Sequence, residues 1–142
     1  MDNISKHISF AEAIKSQAAI RHGHSNIPGK VELENMKLVA TKCFEPLREH
    51  FGIPIGISSF YRNTFVNTLV KGAKTSQHLE GKAIDIDADI FGGITNKQIY
   101  DWLLKNVPFD QLIWEYGDSN NPAWVHISYN KGNNRKQVLR IR

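Results

Sequence analysis

The sequence predicts an α+β domain, a mostly antiparallel sheet packed on one face by helices. Three observations lead there. Apolar residues recur at three- and four-residue spacing through residues 29–52 and again through 94–107, the period of a helix with one buried face. Apolar and polar residues alternate in short runs at 83–88, 110–116 and 123–129, the period of half-buried strands. The helical patterns come early and the strands cluster late, an order that does not suit repeating βαβ units.

Each element has its own signal. "SFAEAIKSQ" opens with Ser9 as N-cap and Glu12 three residues on, a capping-box pattern, so a short helix follows. "RHGHSNIPG" is a loop by its Gly, Asn and Pro content. In "GKVELENMKLVATKCFEPLREHFG", Met36, Val39, Ala40, Cys43, Leu47 and Phe51 make one apolar stripe; Pro46 kinks or divides the helix and Gly52 closes it. "IPIGISSF" reads as a strand, "RNTFVNTLVKG" as a short helix ending at Gly72, and "GKAIDIDA" as a second strand. "ITNKQIYDWLLKNV" is a helix capped by Thr95 or Asn96, with Ile99, Trp102, Leu103 and Val107 inward. "DQLIWEY", "AWVHISY" and "QVLRIR" supply three more strands, the first two joined by the turn-rich "GDSNNP".

Composition bounds the function. The 142 residues are 41% hydrophobic and 23% charged, as expected for one globular domain spanning 1–142. Cys43, alone, excludes an internal disulfide framework and a multi-thiolate zinc site; its place in the apolar stripe makes it a buried small hydrophobe. No apolar stretch approaches the length needed to span a membrane. The first residues, "MDNISKHISFAEAIKSQ", lack the apolar core of a secretory signal, so the expectation is synthesis in the cytoplasm. The net charge of +4 points to anionic partners such as wall polymer or nucleic acid, although "KGNNRKQVLRIR" reads first as a solvated basic tail. Helix-turn-helix and aromatic-basic RNA signatures are missing, which argues against nucleic acid.

The chemistry concentrates in "SQHLEGKAIDIDA". Ile84 and Ile86 point one way along the strand and Asp85 and Asp87 the other; His78 lies seven residues before Asp85, with Gly81 between them to permit a tight bend. In "AWVHISY", Val125 and Ile127 face the helices, leaving Trp124, His126 and Ser128 on the open side. Glu115 shares a face with Ile113, and an acid there is costly to bury unless paired or used. Three ligands from two strands and a loop, a nearby carboxylate and a cation describe a hydrolytic zinc site on the open face of the sheet. Zinc accepts imidazole and carboxylate and keeps a position for water. Arg62, directly after a strand, is the candidate cation. Spacing alone leaves a second reading open, in which His78 and His126 are hydrogen-bonded histidines and Asp85 a strand-end acid.

The pattern Ser76, His78, Gly81, Ala83, Asp85, with the later "WVH", resembles the D-Ala-D-Ala carboxypeptidase family of zinc peptidases, which shares its fold with lysostaphin-type enzymes and the hedgehog signalling domain. "AEAIKSQAAIR", "EPLREHFGIPIGISSFYRN" and "DQLIWE" resemble, in order, segments of its phage-type, endolysin-like branch. The resemblance implies His78, Asp85 and His126 as ligands of one zinc ion, Glu115 as general base and Arg62 as substrate and transition-state clamp. Several family members carry the acid three residues before the last histidine, where this chain has Ala123; Glu115 instead matches the pattern with the glutamate at the end of the preceding strand.

Ser76, Gln77, Asp87 and Trp124 are further candidates for substrate contact, each with a turn, strand-end or packing role as the alternative. "HGH", with His22 and His24, looks ligand-like but lies in a loop with no third ligand near it in sequence. The expectation is a monomeric zinc peptidase cutting amide bonds of peptidoglycan stem peptides or cross-links, as carboxypeptidase or endopeptidase, and acting on the cell wall after release. No membrane insertion and no nucleic-acid partner are expected. The competing expectation is an inactive zinc-containing module of the same fold that binds wall or protein.

Overall fold

The computed structural model describes residues 3–142. Helices α1 (Phe10–Ile14) and α2 (Gln17–Arg21) precede a long segment of α3 (Lys30–Val39), a π turn (Ala40–Phe44) and α4 (Glu45–Phe51). Strand β1 (Gly56–Ser59), helix α5 (Thr64–Leu69), strand β2 (Ala83–Asp87) and helix α6 (Asn96–Asn106) follow. Strands β3 (Gln111–Glu115), β4 (Trp124–Ser128) and β5 (Gln137–Ile141) complete one sheet in the order β1-β2-β4-β3-β5. Every pairing is antiparallel except β3 with β5. The expected α+β class is the class observed.

The core lies between the helices and one face of the sheet. Ile84 and Ile86 of β2, Leu112 of β3, and Val125 and Ile127 of β4 are fully buried against Met36, Val39, Cys43, Leu47, Ile99 and Leu103. That is the apolar side of every alternating strand meeting the apolar stripe of each long helix. Cys43 is buried there and its thiol is pushed up to about 12 by desolvation, so it is inert as a nucleophile.

Pro46 divides the long helix as expected, through a π turn. The Glu45 N–H reaches back five residues to the Ala40 carbonyl, and Pro46 then sits in the first turn of α4, where its missing N–H leaves no gap in the ladder. Gly52 ends α4 in the left-handed region at φ 65°. Thr95, rather than Asn96, caps α6 and forms a capping box with Gln98.

One element was not expected. Helix α2, capped by Ser16, is too short to show a period in sequence. The basic C-terminal stretch is exposed, as expected, and forms the expected last strand, β5; from this stretch Arg135 pairs with the buried Asp110, and the Arg140 guanidinium lies 4.2 Å over the Trp114 ring.

Register aligns one row of residues across the open face. Ser59 lies opposite Asp85, Asp85 opposite His126, His126 opposite Ile113, and Ile113 opposite Leu139. A second row joins Trp124, Glu115 and Ile141.

Candidate metal centre

His78 enters the site on a 3₁₀ turn, Gln77–Glu80, whose N-cap Ser76 accepts the His78 backbone N–H. Gly81 ends the turn at φ 74°, and a Cβ there would stand 2.5 Å from the Glu32 carbonyl of α3. Both the backbone conformation and the close approach of the helix demand glycine. Lys82 then leads directly into β2, which carries Asp85 to its place opposite His126.

The three side chains converge. Nε2 of His78 is 3.2 Å from Oδ1 of Asp85, and Nδ1 of His126 is 3.1 Å from the same oxygen. The imidazole rings are 5.2 Å apart and edge to face. All three residues are buried. Burial pushes the Asp85 carboxyl up, but the two histidines outweigh it and hold the group below the usual carboxylate range. Asp85 is therefore an anion in a dry setting, fit to ligate.

These residues suit a metal ion on physical grounds. Nδ1 of His78 lies 2.6 Å from the Phe60 carbonyl, a contact that requires the proton on Nδ1. A neutral His78 then turns the bare lone pair of Nε2 toward the Asp85 carboxylate. Only a proton or a cation between them makes that approach attractive. The Phe60 carbonyl also performs the orienting role that holds a metal-bound histidine in one tautomer. His126 presents Nδ1 to the same carboxylate oxygen, so the three donor atoms face one point. Two imidazoles and one carboxylate form a donor set that zinc accepts, with a further position open.

Glu115 and Arg62 border the same cavity, about 890 Å³ in volume, whose walls also include Tyr116, Trp124 and Ile141. Trp124 Nε1 donates to Oε2 of Glu115 across the β3–β4 pair. Burial raises the Glu115 carboxyl above its ordinary value and the neighbouring Asp85 charge adds to this, against the opposing pull of His126, Trp124 and His78. A carboxylate raised in this way is a better proton acceptor. The backbone N–H of Arg62 donates to the His78 carbonyl, tying β1's exit to the ligand turn. Burial lowers the Arg62 guanidinium somewhat while Asp85 and Glu115 pull it back, and its Nε is buried without a partner. It faces the cavity with hydrogen-bonding capacity unspent.

The remaining candidates divide. Gln77 lines the cavity and gives its Nε2 hydrogen to Asp110, leaving Oε1 buried and unpartnered. Ser76 lines it as well, although its hydroxyl oxygen is used in the turn. Trp124 is both wall and donor to Glu115. Asp87 shares the face of Asp85, but its Oδ1 accepts from Asn96 and from the Asp89 N–H, so the strand end and the α6 N-terminus use it. His24 stacks on Phe65 with ring centres 3.9 Å apart, and neither it nor His22 belongs to a group able to hold a metal among the described residues.

Sequence reasoning missed Asp110 and Arg135. Asp110 is buried, accepts from Gln77 and receives a two-pronged ion pair from Arg135, which pulls its carboxyl down to about 2. It lies just before an alternating strand and looks in sequence like a turn acid. It also missed the Phe60 carbonyl, a backbone group that no side-chain pattern reports.

A family model described as Peptidase M15 matches residues 6–128, a span that contains the three candidate ligands, Glu115 and Arg62 and stops before β5. No curated protein matches the chain significantly. With the fold, the buried His-Asp-His group and a match over most of its length in agreement, the chain belongs to the Peptidase M15 family of zinc-dependent metallopeptidases.

Proposed function

We propose that the protein hydrolyses amide bonds of bacterial peptidoglycan, in stem peptides or their cross-links, as a monomer acting on the cell wall. The convergence of His78, Asp85 and His126 beside a raised carboxylate and an unspent arginine carries this reading. His78, Asp85 and His126 would hold the zinc ion, which supplies Lewis acidity toward a carbonyl and lowers the pKa of a bound water toward 7.

The chain's own residues perform the rest. Glu115 takes the proton of the attacking water and returns it to the leaving nitrogen, a role favoured by its raised pKa. The Trp124 hydrogen bond engages Oε2 and holds the carboxylate's orientation, leaving Oε1 for the water. Arg62 donates to the substrate carbonyl oxygen as negative charge grows on it, and a partly dry site strengthens that interaction. Ile113, Tyr116 and Ile141 supply apolar wall.

The test is incubation of zinc-loaded protein with purified peptidoglycan and mass spectrometry of the released fragments, with Glu115→Ala as control. New amine and carboxyl ends produced by wild type alone are expected. Intact peptidoglycan from several wall chemistries at full zinc occupancy would instead identify a wall-binding module.

A further inference from the structure

The open face of the sheet holds more space than the metal ligands need. On the β5 side the cavity above His78, Asp85 and His126 extends to Ile141. On the β1 side lies a second cavity, about 560 Å³, whose walls include Lys15, Arg21, Ser58 and Ile90. Both cavities have Arg62, Val70 and Asp85 as walls, so they meet at the metal centre.

The row of side chains across the strands gives this cleft its direction. It begins at Ser59, passes Asp85, His126 and Ile113, and ends at Leu139 on the edge strand. Three strand spacings of about 4.8 Å separate Asp85 from β5, roughly 14 Å, which is the length of about four residues of extended chain. The β1 limb adds room on the opposite side. A site built to trim a chain end has space on one side of the reacting bond and a wall with a cation on the other. Here Arg62 stands at the junction of two open limbs, not at an end wall. In the β1 limb the Lys15 charge acts on Glu12 and the Asp85 charge acts on Arg62, which leaves Arg21 as the one charged wall without an opposite partner in the limb.

We propose that this cleft takes an extended peptide across both limbs and cuts an internal bond, with Arg21 reading an acidic group of the chain in the β1 limb. The protein is then an endopeptidase, an inference that rests on the zinc-peptidase reading above. Water adds across the internal amide: its hydroxyl goes to the carbonyl carbon, the C–N bond breaks, and the proton passes through Glu115 to the leaving amine.

The discriminating substrate is a cross-linked muropeptide dimer with only its C-terminal carboxylate converted to the amide, set against the unblocked dimer. Zinc-loaded wild type should cut the same internal bond in both, with kcat/KM values within about threefold. Arg21→Glu should raise KM about tenfold with kcat retained, the mark of lost binding and intact chemistry. In the Glu115→Ala background, calorimetry should show the Arg21→Glu change weakening dimer binding by a similar factor. Loss of only the terminal residue from the unblocked dimer, with the blocked one inert, would overturn the endopeptidase assignment and leave the peptidase reading standing. An Arg21→Glu protein with unchanged KM and binding would remove the β1 subsite. Hydrolysis of neither dimer at full zinc occupancy would overturn both readings together.

Discussion

Among the described residues, two groups of histidine and carboxylate have ligand atoms close enough to share a metal ion: His78, Asp85 and His126 on the sheet, and His7, Glu45 and Glu49 at the junction of the N-terminal segment with α4. Their compositions are alike and their circumstances are opposite. In the first, one carboxylate oxygen faces two imidazole nitrogens in a buried setting, and the Phe60 carbonyl leaves His78 with a bare Nε2 toward it. In the second, Glu45 is already satisfied: Ser5 Oγ and the His7 N–H donate to one oxygen, and the His7 ring lies 2.6 Å from the other. Lys6 occupies Glu49. Proximity of the right residue types therefore does not define a metal centre. Unspent lone pairs held together out of water do, because the protein leaves them no cheaper partner.

The contrast is broken most decisively by removing one carboxylate from each group. Asp85→Ala should abolish stoichiometric zinc binding, together with the rise in melting temperature that zinc gives the wild type, since the metal stabilises only the state that binds it. Glu45→Ala should still bind one zinc ion per chain. Metal analysis after dialysis, read beside thermal melts, decides; equal zinc loss in both variants would mean that the two groups do not differ in kind.

Turnover separates ligand from base within the sheet site. Glu115→Ala should keep its zinc and lose activity by about 10²–10⁴-fold, the scale of a general base. Normal turnover with zinc retained would take the role of base away from Glu115.

Gly81→Ala sharpens the comparison from the side of construction. The ligand turn needs a left-handed residue and tolerates no Cβ against α3, so the variant should lose roughly 1–3 kcal/mol in denaturant unfolding. The His7 turn has no such constraint among its described residues. A Gly81→Ala protein as stable as wild type would show that α3 yields easily.

The smallest effect belongs to the N-terminal group. Burial pushes the Glu45 carboxyl up, but the hydrogen bonds from Ser5 and His7 outweigh it and hold the group below its ordinary 4.5. The stability it contributes is fully present above 4.5 and is lost as pH falls from there through the lowered value. Glu45→Gln should cost about 1 kcal/mol at neutral pH and flatten this acid-side loss. A pH series of unfolding curves parallel to wild type would sink the assignment.

Much of this was legible in sequence because it is local. Period and caps announced α6, and alternation placed Asp85 and His126 on the polar side of their strands before any register was known. Asp87 has the same local signal as Asp85, yet it serves the α6 N-terminus through Asn96. Nothing within "AIDID" separates the two acids; the partner across the strand does. Arg135 and Asp110 were hidden for the same reason, because their pairing spans a return of the chain from β4 to the sheet edge.

The sequence by itself determined the alternation of β2 and β4, the apolar stripe of the long helices, the glycine that lets His78 turn back toward its strand, and the residue types able to ligate zinc. Steric limits and side-chain period act over a few residues, so they can be read there. Only the tertiary structure decided that Asp85 stands opposite His126, that the Phe60 carbonyl holds His78 in one tautomer, that Trp124 engages Glu115, and that β5 joins the sheet parallel to β3. Those are meetings between segments far apart in the chain. They are set by which apolar faces can be buried together, a global condition that no short stretch of sequence contains.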